Sequence, residues 1–492
     1  MAIRNRVTGG FLAGVLTIGG VGVANGSGAE EKRTTAVDEV FADLTKPGSP
    51  GCALGVYRDG KIVFSKGYGL ANIEENVAIT PQSVFDIGST SKQFTAASIL
   101  LLEKQGKLSI NDDVRKYIPE LTNYGQKITI LNLLNHTSGL RDYLTLMELA
   151  DINMDSVTTD EDALQMIVRQ KALNFEPGSE WLYSNTGFFL LSVIVKRVSG
   201  KTLKEFAAEN IFAPLEMTHT QYRDDHTSLI ANRAMAYDAK GKGGGYTLDV
   251  SYFEQTGDGA VHTSVEDLLK WDENFYSGQI GGKDFLAEIQ EQGKLNNGKV
   301  LEYAKGLTVA DYRGLHTVSH GGAWGGYRAE LLRFPEQHFS VACLCNLGNA
   351  NPYGRARRVA DIYLAGLLKA KEEKKKDPGK NELPRADAGL TEQELQSYQG
   401  DYYSDELGVT YRLELSEGKL KLTIGRASGA FSGFENGQPE YLRPTGTEEF
   451  LIGNTGITIH IRRDAEHMVS SFLLNAGRTR GMVFGRSIPG KL

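Results

Sequence analysis

The sequence predicts an α+β chain, in which an antiparallel sheet flanked by helices, with a helical region beside it, precedes a small all-β unit. Three observations carry this. Short period-two strands bracket a helical middle, at residues 52–57 and 62–67 near the start and in three runs between 315 and 346. Residues 371–389 and their immediate neighbours are charged and nearly free of apolar side chains, with Pro378, Gly379 and Pro384, which is the composition of a linker. Beyond that stretch the alternation returns, with Tyr411, Leu413 and Leu415 on one face, then Leu420, Leu422 and Ile424, then Ile457, Ile459 and Ile461. At 492 residues the chain is too long for one ordinary domain. The expected division is 1–29, 30–370, 371–389 and 390–492.

Taken in order, Arg4 and Arg6 precede an uncharged stretch at 7–29, and Ser27-Gly28-Ala29 offers small residues for cleavage before Glu30. That pattern reads as an export signal. An uncleaved membrane anchor is the rival reading, since the run is just long enough to span, although each glycine weakens such a helix by about 1 kcal/mol. Both place the rest of the chain outside the cytoplasm. Val37, Val40, Phe41 and Leu44 mark an amphipathic helix, and Arg58-Asp59-Gly60 turns between the first two strands. From Ser89 a helix begins that is apolar on nearly every side, through Phe94, Ala96, Ala97, Ile99, Leu100, Leu101 and Leu102, so it is expected to be buried.

Leu164, Ile167 and Val168 share one face of a further helix, and a second buried helix is expected at 187–198. Thr263-Ser264-Val265-Glu266 resembles a capping box before a helix at 267–271. Three strands then recur between Gly-rich and Pro-containing turns, and a helix at 355–368 ends the unit. Strands at both ends with helices between predict a sheet closed by the two termini. The tail predicts a barrel or sandwich of short strands.

A net charge of −7, with no basic cluster, argues against nucleic acid as a partner. Cys52, Cys343 and Cys345 form no C-x-x-C and the histidines no H-E-x-x-H, so neither a metal nor a cofactor is expected. The three cysteines read as packed thiols. Gly241-Lys242-Gly243-Gly244-Gly245 lacks the ending of a phosphate loop and reads as a plain loop.

Chemistry concentrates in three motifs: Ser89-Thr90-Ser91-Lys92, Tyr183-Ser184-Asn185 and His320-Gly321-Gly322. A serine hydroxyl needs a partner to take its proton. Lys92 lies one helical turn from Ser89, and a buried Lys92–Tyr183 pair could manage the proton in either of two ways. A cationic Lys92 would stabilise a Tyr183 phenolate, or a desolvated Lys92 would itself be the base. Backbone N–H groups of Ser89 and Ala323 are candidates for an oxyanion site, with Gly321 and Gly322 letting the strand approach. Asn185 can donate to and accept from a substrate amide. Context matters here, because Ser416-Glu417-Gly418-Lys419 has the same S-x-x-K spacing in a turn with no such neighbours. His136, before Thr137-Ser138-Gly139, and Asp258, between two glycines, read as structural turn residues.

Together with His136-Thr137-Ser138-Gly139-Leu140, Glu176-Pro177-Gly178 and Gly325-Gly326-Tyr327, these motifs resemble the serine hydrolases grouped around class C β-lactamases, D-Ala-D-Ala carboxypeptidases, D-aminopeptidases and related esterases. The resemblance spans roughly residues 37–368. It implies Ser89 as nucleophile, Lys92 and Tyr183 as proton handlers, and no metal; Asn185, His320, Gly321, Gly322 and Ala323 are the residues expected at the substrate. The tail resembles the lipocalin-like barrel that some members carry. One departure stands out: His320 occupies the place of a lysine that faces a carboxylate in β-lactamases and carboxypeptidases, and an ordinary histidine is mostly neutral at about pH 7.4. The expected activity is therefore peptidase, amidase or esterase chemistry on small or D-amino-acid-containing substrates, with poor β-lactam turnover. A β-lactamase or carboxypeptidase, and a non-catalytic sensor or binding protein, are the alternatives.

Overall fold

The structure, a computed structural model, describes residues 24–241, 244–370, 390–425, 431–432 and 440–487. Most of the expected export signal, the whole 371–389 linker, and Lys242 and Gly243 of the glycine run lie outside the described residues. Helix α1 (Ala24–Val40) carries Val37 and Val40 onto a sheet face. Strands β1 (Cys52–Arg58) and β2 (Lys61–Tyr68) follow, joined where Asp59 and Gly60 both take positive φ, the conformation a tight hairpin needs. Helix α2 (Lys92–Lys104) is buried from Lys92 to Leu102; it starts just after Ser89, which sits in the 3-10 turn Gly88–Ser91.

Helix α3 (Asn185–Ser199) is the second buried helix and stops at Gly200 in the left-handed conformation. Helix α4 (Val265–Ser277) is capped by Ser264, which accepts from the Asp267 N–H at 3.2 Å. The cap falls one residue later than a Thr263–Glu266 box would put it, because Thr263 is paired with Phe85 in a short sheet.

Strands β3 (Thr308–Tyr312), β4 (Leu315–Trp324), β5 (Tyr327–Phe334) and β6 (Phe339–Cys345) complete the main sheet, before helix α5 (Pro352–Tyr363). The order is β3-β4-β5-β6-β1-β2, all antiparallel, so the two ends of the unit meet where β6 pairs with β1. Alternation decides the two faces. Leu54, Val56, Leu332 and Val341 pack under α1 and α5, while Ala53, Ala329, Leu331 and Leu344 face the core shared by α2, α3 and α4.

The cysteines depart from expectation. Cys52 and Cys345 are register partners across β1 and β6, with Cα atoms 4.0 Å apart, and form a disulfide; only Cys343 remains a free, buried thiol. They are 293 residues apart in sequence, and only the sheet closure brings them together.

The tail is a closed eight-stranded antiparallel barrel, not a sandwich. Its strands are β7 (Gly400–Ser404), β8 (Val409–Ser416), β9 (Lys419–Gly425), β10 (Glu440–Pro444), β11 (Glu449–Ile452), β12 (Ile457–Arg463), β13 (Val469–Ala476) and β14 (Thr479–Arg486). Pairing of β8 with β9 closes the ring. The second S-x-x-K is simply the turn between these two strands. Tyr402, Tyr411, Phe450, Phe472 and Phe484 fill the interior, with Phe472 and Phe484 stacked at 4.8 Å. Leu146, Leu149, Ala150 and Met166 of the first unit join this barrel core. Among the described residues, no helix is long and apolar enough to cross a membrane.

Candidate active site

The first residues of the two buried helices, Lys92 of α2 and Asn185 of α3, meet side chain to side chain. Lys92 Nζ donates to Asn185 Oδ1 at 2.9 Å, to Ser89 Oγ at 3.1 Å and to the Asp258 carbonyl oxygen at 2.5 Å. Lys92 is wholly buried. Its ammonium also lies 4.9 Å from the centre of the Tyr183 ring. Asp258 is thus more than a turn residue. Its carboxylate accepts from Tyr143 at 3.0 Å, and burial pushes that carboxyl up to about 6, against the pull of Lys92.

Strand β4 forms the facing wall. It runs past the end of β3, whose last partner toward this side is Ser319, so the edge from His320 to Trp324 is left to the Gly88–Ser91 turn. Thr90 Oγ1 donates to the His320 carbonyl at 3.1 Å. Gly322 is required there, because a Cβ would fall 1.8 Å from the Ile87 carbonyl oxygen. Gly88, at φ +48°, brings its Cα side to the Ala323 nitrogen, 2.7 Å from where a Cβ would stand. Ser89 and Ala323 therefore lie on adjoining backbone segments.

Tyr183 precedes α3 and is held on several sides. His136, at φ +56° and almost fully buried, accepts from the Ser184 N–H at 3.2 Å and packs against Tyr183 with tilted rings whose centres are 4.2 Å apart. Burial, reinforced by Lys92, holds the His136 imidazole well below its ordinary range, so it is a neutral spacer. The Tyr183 hydroxyl is buried and hydrogen-bonded to nothing in the protein. His320 is 7% exposed, and both its ring nitrogens are engaged, Nδ1 with the Gly321 carbonyl at 2.6 Å and Nε2 with the Tyr303 hydroxyl at 3.0 Å. Burial, then Lys92, lowers it to about 4.

The barrel also reaches this tyrosine. The two-residue turn between β13 and β14 puts the Arg478 guanidinium 4.7 Å from the Tyr183 ring centre and 3.8 Å from the Asp142 carboxylate. Asp142 in turn accepts from the Asn185 N–H at 2.5 Å. The resulting cavity, of about 750 Å³, is lined by Ser89, Tyr183, Asn185, Gly322 and Ala323 from the first unit and Arg478 from the second.

All eight residues singled out in the sequence thus come together, while the Asp258 carbonyl, Tyr303, Asp142 and Arg478 were missed. Only Asp258 had a local signal, its flanking glycines, since Gly257 at φ +101° lets the chain pass the Phe188 carbonyl. Nothing near Arg478 marks it, because it acts across the fold.

Comparisons with known proteins agree with this picture. The family described as Beta-lactamase matches residues 37–365. Penicillin-binding protein 4* of Bacillus subtilis is 30% identical over 323 residues, 60% of this chain and 68% of that protein. The chain spans 61% of the next curated relative, a protein of Staphylococcus aureus. Among solved structures, the octameric penicillin-binding protein homologue from Pyrococcus abyssi shares the fold at TM-score 0.60 and 23% identity, over 92% of this chain and 99% of that one. The D-amino acid amidase of Ochrobactrum anthropi SV3 does so at TM-score 0.58 and 22% identity, over 68% and 99%.

Proposed function

We infer that this chain, which belongs to the β-lactamase family, is a serine hydrolase that forms an acyl-enzyme on Ser89 and cleaves small ester or amide substrates, including those built on D-amino acids. The observation that carries the reading is the Lys92 ammonium, donating at once to Ser89 Oγ, Asn185 Oδ1 and the Asp258 carbonyl. Three acceptors around one nitrogen suit the cation, which has three N–H donors and no lone pair. Lys92 then holds and polarises Ser89, and the proton goes to Tyr183, whose buried oxygen has no other partner. Positive charge from Lys92 and Arg478 faces the Tyr183 ring and would balance a phenolate.

In the first step Ser89 Oγ bonds to the substrate carbonyl carbon, the carbonyl π electrons move onto its oxygen, and the Ser89 proton passes to the Tyr183 phenolate, which becomes the phenol. The oxyanion faces the backbone N–H groups of Ser89 and Ala323. Tyr183 returns the proton to the leaving oxygen or nitrogen as that bond breaks, and water repeats the sequence to free Ser89.

The size of the cavity and the engaged, neutral His320 favour small substrates lacking a carboxylate at that point, and the likeness to a D-amino acid amidase supports the same class. The alternative, a β-lactamase or D-Ala-D-Ala carboxypeptidase, draws on the relative named a penicillin-binding protein. A purely binding role is disfavoured by the complete set of acyl-transfer groups. The Cys52–Cys345 disulfide supports an extracytoplasmic location, where thiols are oxidised.

The test is hydrolysis of p-nitrophenyl esters and D-amino acid p-nitroanilides by the purified chain against Ser89→Ala, with mass spectrometry of the trapped adduct. Activity that collapses in the variant, with an acyl group on Ser89, is expected. Equal activity in both removes the reading, and nitrocefin turned over as fast as a good ester selects the alternative.

A further inference from the structure

Tyr303, in the loop before β3, decides what the third-motif histidine can do. A backbone carbonyl can only accept, so the 2.6 Å contact to Gly321 puts the His320 proton on Nδ1. Nε2 is then an acceptor, and the Tyr303 hydroxyl, 3.0 Å away, is its donor. Tyr303 is 5% exposed and wedged against His136 and Trp181, with ring centres 4.6 and 6.1 Å away, so it has no room to swing aside. Both nitrogens of His320 are spent inside the protein.

We propose that Tyr303 is a specificity-determining residue, which occupies Nε2 of His320 and thereby withholds this imidazole from the substrate and keeps it from serving as a cation toward a carboxylate on the leaving group. Protonating Nε2 would set two donors face to face, and the hydroxyl would have to turn and find a new acceptor. Of the groups facing the ring, the Lys92 cation on α2 opposes the charge and His136 is neutral, while the Gly321 carbonyl of β4, already served by Nδ1, and a Tyr183 phenolate, with its ring centre 6.4 Å away, would favour it, so the contact with Tyr303 is what occupies Nε2. The lowering of His320 to about 4, by burial and then Lys92, is consistent with this arrangement.

The experiment has two arms, of which only the kinetic one rests on Ser89 acyl transfer. In the first, ¹⁵N-edited NMR of the histidines follows His320 with pH. The wild-type ring is expected to stay neutral with the proton on Nδ1 down to about pH 5, whereas in Tyr303→Phe, where burial and Lys92 remain, the titration should move upward from the wild-type value. In the second, kcat/KM for 3-butyryloxybenzoate, whose leaving phenol carries the carboxylate, is divided by that for phenyl butyrate. At a pH below the variant's own His320 titration, the ratio should rise about tenfold in Tyr303→Phe, the effect of one hydrogen bond to a charged group. The gain should vanish in Tyr303→Phe/His320→Ala. Wild-type His320 titrating near 6.5 would overturn the proposal, even if Tyr303→Phe failed to fold. So would a Tyr303→Phe protein with unchanged titration and unchanged ratio. Activity surviving Ser89→Ala would discard the kinetic arm together with the proposed function, and the NMR arm would still decide.

Discussion

Lys92 and Asp258 show how one residue can bind chemistry to stability. Replacing Lys92 with Ala leaves Asn185 Oδ1 and the Asp258 carbonyl without their donor in a buried setting. Such orphaned groups cost about 1–3 kcal/mol each, so Lys92→Ala should lower the unfolding free energy by a few kcal/mol. It should also cut kcat by about 10²–10⁴, the range for losing managed proton transfer. Urea melts and ester kinetics on the same variant check both, and undiminished hydrolysis would sink the assigned role. Asp258 gives a pH signature. Its carboxyl sits at about 6 in the folded chain, against 3.8 ordinarily, because it is buried. The folded state therefore binds this proton more tightly than the unfolded state. The stability it contributes is fully present below about pH 4 and is lost as pH rises through about 6, up to about 3 kcal/mol. Asp258→Asn, which keeps an acceptor for Tyr143, should flatten that part of the stability–pH curve; a wild-type slope retained in the variant would refute the assignment. Ser89, Lys92 and Tyr183 were legible because each sits in a short motif beside a helix start. The Asp258 role was not, because it is played by a backbone carbonyl that any residue type possesses.

Among elements, the edge of β4 is where spacing is tightest. A Cβ on Gly322 would meet the Ile87 carbonyl oxygen at 1.8 Å, and that oxygen belongs to backbone leading into the Gly88–Ser91 turn. Gly321 differs, since the nearest atom to its Cβ would be the carboxylate end of Glu330 at 2.9 Å. Gly322→Ala must therefore push β4 away from Ser89, and a displacement of about 1 Å there can cost about 100-fold in rate. Gly321→Ala, which displaces only a side-chain end, should cost clearly less. Equal losses in kcat/KM for the two variants would mean that β4 does not set the geometry around Ser89. Most elements were readable from periodicity, the buried helices from their all-round apolar surface and the strands from alternation. What escaped reading was pairing between distant elements. Cys343 and Cys345 share a face of β6, yet only the register with β1 selects Cys345 as the partner of Cys52. The cap of α4 moved for the same reason, since Thr263 is claimed by a strand whose partner lies far upstream.

For the whole molecule, the barrel is docked by a buried charge cluster rather than tethered loosely. Arg141 donates to Glu406 at 2.7 Å, to the Arg480 carbonyl at 3.1 Å and to the Gly481 carbonyl at 3.0 Å, and the Arg141–Glu406 pair is nearly inaccessible to water. Asn174 fastens the same hairpin from both ends, donating to the Arg478 carbonyl at 2.9 Å and accepting from the Arg480 N–H at 2.8 Å. The turn that carries Arg478 into the cavity is thus fixed to the first unit just where it enters. Removing one partner of such a pair leaves an uncompensated buried charge, at a cost of about 3–5 kcal/mol. Arg141→Ala should therefore loosen the barrel and withdraw Arg478 from Tyr183 and Asp142. Arg478→Ala removes the same guanidinium while the docking contacts stay. Both variants should lose activity, but only Arg141→Ala should lower the denaturation midpoint markedly and raise the radius of gyration measured by small-angle X-ray scattering. If Arg141→Ala kept both its compact scattering profile and wild-type kinetics, the barrel would be held by its apolar contacts and the remaining hydrogen bonds, those of Asn174 among them. If Arg478→Ala were fully active while Arg141→Ala was not, docking would act on the site through the first unit's own loops, and the guanidinium over Tyr183 would be incidental.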